Sequence, residues 1–83
     1  MWNEYMQHTG MNRESYREAM LNKLAIGQQY RLKSKREHIE KDTVRCKLTD
    51  LSRNMAVFEH KDGKKESFTY QELWSMMMEG TFA

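Results

Sequence analysis

The 83-residue chain has no proline, four glycines and one cysteine, and each shortage removes a class of protein. No proline-rich or low-complexity linker and no internal repeat marks a second domain, so one domain is expected. A lone Cys46 cannot form an intrachain disulfide, which excludes a stapled secreted scaffold. With so few glycines there is no phosphate-cradling loop, and no Gly-x-Ser-x-Gly nucleophile turn is present. No apolar run approaches the roughly 18–20 residues that a membrane span needs. The opening Met1-Trp-Asn-Glu-Tyr lacks a basic region followed by an apolar stretch, so no signal peptide is expected and the cytoplasm is the default. His8, His38 and His60 stand far apart. Zinc needs three or four ligands, and even if Cys46 and His60 met across neighbouring strands they would supply two. No metal, no cofactor and no enzymatic activity are expected.

The best-specified stretch is residues 55–80. Asp62-Gly63 favours the positive φ of a tight type I′ turn, so the flanking runs should fold back as a hairpin. Thr69 and Glu72 then form a T-x-x-E capping box, Phe68 and Leu73 occupy hydrophobic-staple positions, and Gly80 sits where a helix C-cap belongs.

Upstream, Asn12 is a good N-cap, and Tyr16, Ala19, Met20 and Leu24 follow at helical spacing. A helix is expected over 13–25, with Gly27 just past its end. Residues 28–33 alternate as a strand, and 43–50 place Val44, Cys46 and Leu48 against Arg45, Lys47 and Thr49. Residues 34–42 read as a charged loop. Strands over 55–61 and 64–69 complete a meander. Residues 1–11 form a lead carrying Trp2, Tyr5 and Met6 at helical spacing.

On the final helix, Met76, Leu73, Met77, Tyr70, Trp74 and Met78 fill an arc of about 200°. A surface helix buries a stripe of roughly 100° or a little more. The excess must be covered by the first helix or by another chain. Met76 and Met78 lie at the arc's two edges, and thioethers suit adaptable contacts.

Charge is modest overall at +2, yet residues 28–50 carry a net of +3. If the first two strands are neighbours, Arg31, Lys33, Arg45 and Lys47 project from one face. Like charges opposed across strands destabilise, so their presence points to an anionic partner such as a phosphate backbone. The plainer alternative is a solvated face whose cations pair with Glu37, Glu40 and Asp42.

The run from Phe58 to Trp74 (FEHKDGKKESFTYQELW) resembles the C-terminal signature of small uncharacterised proteins of Gram-positive bacteria, often carried on phage or integrated mobile elements. The resemblance covers residues 28–80 and implies a bacterial cytoplasmic protein, with no catalytic residue to carry over.

The expected fold is α+β: an N-terminal helix, a four-stranded antiparallel meander that has the option of curling toward a small SH3-like barrel, and a C-terminal helix. The lead covers residues 1–11 and the single domain 12–83. The leading functional expectation is a non-enzymatic protein-interaction module, self-associating as a homodimer or binding another protein through Trp2, Tyr5, Met6, Trp74, Met76 and Met78. The second is a nucleic-acid-binding accessory protein using Arg31, Lys33, Arg45 and Lys47. Neither a membrane nor a small-molecule substrate is expected as a partner.

Overall fold

The structure is a computed structural model that describes residues 12–36 and 43–83. It has the expected α+β architecture. The elements run α1 (Arg13–Leu21), β1 (Gln29–Leu32), β2 (Val44–Leu51), β3 (Met55–Glu59), β4 (Lys65–Thr69) and α2 (Tyr70–Glu79). The strands form one antiparallel sheet in sequential order β1-β2-β3-β4.

Helix α1 starts where Asn12 predicts, with its side chain accepting the Ser15 N–H at 2.9 Å. It stops at Leu21, four residues short of the expected end. The bonds then tighten to Lys23 N–H to Met20 carbonyl and Leu24 N–H to Leu21 carbonyl. The Tyr30 hydroxyl takes over: it accepts from the Ala25 N–H at 2.7 Å and donates to the Lys23 carbonyl at 3.2 Å. Gly27, at φ 96°, is therefore not the helix cap; it lets the chain enter the sheet, with its N–H donating to the Leu48 carbonyl.

The β3–β4 hairpin forms where expected, with a different turn. His60 carbonyl accepts from Gly63 N–H at 2.9 Å, and His60 N–H donates to the Lys64 carbonyl at 2.8 Å. Lys61 and Asp62 are thus the central pair, and Gly63 follows at φ 89°. This is a three-residue loop closed by a left-handed glycine, in place of the two-residue type I′ turn. The Asp62 side chain holds it by accepting the Lys64 N–H at 3.1 Å.

Helix α2 carries both bonds of the capping box: Thr69 N–H to Glu72 Oε1 at 2.8 Å, and Glu72 N–H to Thr69 Oγ1 at 3.1 Å. Gly80 ends it in the left-handed conformation, at φ 82°.

The inner face of the sheet supplies Leu32, Cys46, Leu48, Ala56, Phe58 and Phe68 to the core, and α2 adds Tyr70, Leu73 and Met76. Met20 of α1 and Phe82 complete it. Each fully buried Leu or Phe contributes about 1.5–3 kcal/mol. Phe58 is central, meeting Phe68 at 5.8 Å, Tyr30 at 6.0 Å and Phe82 at 6.2 Å, all edge to face.

The sheet curls without closing as a barrel. After β1 the chain bends toward β4, where the Ser34 hydroxyl and the Lys35 N–H both donate to Glu66. On the other edge of β1, the tail is held by reciprocal bonds between Arg31 and Ala83, at 2.8 and 2.9 Å. Side-chain bonds and a short tail do what a continuous ladder does in a barrel.

Candidate functional site

The outer face of the sheet is built by register. Arg31 stands opposite Arg45, and Gln29 opposite Lys47. Lys47 in turn faces Glu59, and Glu59 faces Lys65, so that row alternates in sign. Along the register the Arg31–Arg45 row meets no acidic residue among the described ones: continuing the β2–β3 register by two residues brings up Lys61, another cation, and Glu37, Glu40 and Asp42 lie outside the described residues. Among the described residues, neither Arg31, Arg45 nor Lys61 forms an ion pair. A groove of about 490 Å³ is lined by Arg31, Arg36, Arg45, His60, Lys61 and Asp62.

Arg36 reaches the groove from the segment that follows β1. Its Nη2 meets Asp62 Oδ2 at 3.0 Å. That hydrogen bond, aided by the Lys64 N–H, holds the Asp62 carboxyl below its ordinary value. One of the four cations lining the groove is thus neutralised by the hairpin turn.

His60 also belongs to a buried polar chain. Cys46 Sγ sits 3.5 Å from His60 Nδ1, and His60 Nε2 lies 2.6 Å from Glu66 Oε1. The same carboxylate accepts the Ser34 hydroxyl and, on Oε2, the Lys35 N–H at 2.9 Å. Ser34 Oγ accepts the Arg36 N–H at 3.0 Å, which ties the chain to the groove wall. One assignment satisfies all of it: the thiol donates to Nδ1, and Nε2–H donates to the carboxylate.

Burial raises the Cys46 thiol to about 11, with the Glu66 charge adding to the rise. Burial also pushes the Glu66 carboxyl up, but the bonds from Ser34, Lys35 and His60 outweigh it and leave the group below its ordinary value. Cys46 is 2% exposed and His60 7%. A protonated, covered thiol is no nucleophile. The two imidazole nitrogens face different partners, so no single ion can take Cys46, His60 and Glu66 together. No cluster of three metal-ligating side chains exists among the described residues. The chain of bonds is a structural clamp between β2, β3, β4 and the segment after β1.

The sequence-derived candidates are partly dispersed. Arg31, Arg45 and Lys47 share the outer face, as expected. Lys33 does not join them, because the bend after Leu32 carries it to a separate groove beside Phe68 and α2. Met76, expected at an exposed edge of the α2 stripe, is 8% exposed and part of the core. Trp74 is half-buried against Tyr16 of α1, edge to face at 5.4 Å. Met78 stays 59% exposed. Trp2, Tyr5 and Met6 lie outside the described residues.

Three contributors were missed. Lys61 has the outward parity of Glu59 and could have been found from the hairpin register. Arg36 and Glu66 could not, since their roles depend on the bend that follows β1. No helix among the described residues is long and apolar enough to cross a membrane. No family model, curated protein or solved structure matches the chain.

Proposed function

We propose that the protein is a non-enzymatic binding module whose outer sheet face takes a polyanion, the phosphate backbone of a nucleic acid. Arg31, Arg45 and Lys61 are the contact residues, with Lys47 at the margin. The observation that carries this reading is the direct opposition of Arg31 and Arg45. Two guanidinium groups side by side destabilise a strand pair unless an anion bridges them. Arginine also suits phosphate, because its planar fork donates two parallel bonds.

The self-associating reading has less support. It draws on the lead residues Trp2, Tyr5 and Met6, which lie outside the described residues, and on the apolar surface of α2, along whose flank α1 packs through Tyr16 and Trp74. Met78 is what remains of the stripe's exposed edge. A cytoplasmic location is part of this reading, and the protonated, covered Cys46 supports its non-enzymatic side.

The test is anisotropy titration of labelled single- and double-stranded oligonucleotides at several salt concentrations. Three to four phosphate contacts predict a slope in log affinity against log salt of about −3 to −4 on duplex and about −2 to −3 on single strands. Arg45→Glu and Lys61→Glu should each weaken binding and flatten that slope. Absence of binding to DNA and RNA at low salt would sink the reading, as would a salt-independent affinity.

A further inference from the structure

A second cationic cavity, of about 680 Å³, lies on another part of the molecule, where the start of α1 meets the β2–β3 turn. Its wall holds Arg13 and Arg17 from α1 and Arg53 from the turn, with Asn12 and Asn54 beside them. Among the described residues of the lining, Glu14 is the single carboxylate. It takes Arg17 Nη1 at 3.1 Å, which leaves the lining with a surplus of two positive charges. The Tyr70 hydroxyl is already committed to the carbonyls of Ser52 and Met55.

The Arg17 Nε is buried without a hydrogen-bond partner, and because it is closed to solvent a ligand in the cavity is met by the other guanidinium nitrogens. A carboxylate ligand would cancel half of the surplus charge. A phosphate monoester carries about −1.5 to −2 at neutral pH and three acceptor oxygens, which matches the surplus. Three guanidinium groups from two separate elements can also bond those oxygens from different sides.

We propose that this cavity is a phosphate-binding site formed by Arg13, Arg17 and Arg53. The ligand is a phosphate group, carried either by a small molecule or by the end of a nucleic-acid strand. The site is independent of the outer sheet face, since it shares none of its residues.

The experiment is calorimetric titration of the full chain with inorganic phosphate, pyrophosphate and acetate. Phosphate and pyrophosphate should bind, and acetate should bind at least about tenfold more weakly for want of charge and acceptors. Arg53→Gln, at an exposed turn, should weaken phosphate by about tenfold or more while leaving the melting temperature unchanged. Arg17→Lys keeps the charge but loses the planar fork of parallel donors, and should weaken it similarly. Arg45→Glu should leave phosphate binding intact, so failure of the sheet-face reading and failure of this one are separable. A 5′-phosphorylated oligonucleotide that outbinds its 5′-hydroxyl twin in wild type, but not in Arg53→Gln, identifies a strand end as the source. Equal binding of the two identifies a small phosphate compound. Phosphate affinity that is undetectable, or the same in wild type and Arg53→Gln, overturns the proposal.

Discussion

Glu66 holds together more of the molecule than any other polar side chain in the sheet. Its carboxylate joins Ser34, the Lys35 N–H and His60, and through His60 it reaches Cys46. Glu66→Gln keeps the shape but must turn an amide N–H toward one of three donors. The expected cost is about 1–3 kcal/mol, measured as a lower urea midpoint at pH 7. The folded-state pKa of Glu66 is lowered from 4.5, so the folded chain gives up this proton more readily than the unfolded chain. Its stabilisation is therefore present above about 4.5 and disappears as pH falls through the folded-state value. The gap between wild type and Glu66→Gln should close between pH 5 and the acid limit of folding; a gap that does not change with pH would contradict the clamp. The thiol at the other end titrates in the opposite sense. Folding raises Cys46 from 9.0 to about 11, so its contribution holds below 9 and is lost as pH rises toward 11. At pH 8 the folded protein should react with iodoacetamide about 100-fold or more slowly than the urea-unfolded chain, because so much less of its thiol is ionised. Equal rates would mean that the thiol is neither covered nor held by His60.

Among the elements, the β1–β2 pair shows a conflict between stability and binding. Arg31 and Arg45 face each other, and replacing one by glutamate turns a repulsion into an attraction. Arg45→Glu is expected to stabilise the fold by about 0.2–1 kcal/mol, read from thermal or urea unfolding, even as it weakens polyanion binding. Destabilisation by that substitution would show that the opposed arginines are already relieved by other groups. That Arg31 and Arg45 share the outer face was legible in the sequence, because strict alternation in 43–50 marks which residues point outward; the register that opposes them was not, because the long 34–42 connection leaves it open. The capping box and Gly80 were legible for a similar reason: each rests on bonds within four residues. Local rules failed where a distant group intervened. The 13–25 helix ends early because the Tyr30 hydroxyl, from β1, takes the Ala25 N–H and the Lys23 carbonyl. The hairpin turn shifted by one residue because Asp62 uses its side chain to hold Lys64 instead of serving as the first residue of a type I′ pair. Met76 left its expected edge because the chain beyond Gly80 folds back. The Thr81 N–H and hydroxyl both donate to the Met76 carbonyl, and Phe82 enters the same core.

At the scale of the whole molecule, that returning tail decides whether the curled sheet has an open edge. β1 is an edge strand, and unpaired edges invite pairing with other chains. Here the edge is covered at Arg31, whose N–H donates to the Ala83 carbonyl and whose carbonyl accepts the Ala83 N–H. Phe82 anchors the cover. It is 6% exposed and stacks on Tyr30, with ring centroids 5.5 Å apart and planes 11° from parallel. Removing a buried phenyl ring costs about 3–5 kcal/mol, against a total stability of roughly 4–12 kcal/mol for a chain of this length. Phe82→Ala should therefore leave a marginal fold, whereas Phe82→Leu should refill most of the space at a cost nearer 1 kcal/mol. The two variants separate packing from edge protection. In Phe82→Ala, the Arg31 amide should lose its hydrogen-exchange protection well before the amides shared by β2 and β3. Light scattering should show mass rising with concentration beyond that of wild type as the uncovered β1 edges pair. Phe82→Leu should keep both the protection and the wild-type mass. If the Arg31 amide stays as protected as the central strands in Phe82→Ala, the tail is passive covering, and the curl of the sheet is held by the Glu66 clamp alone.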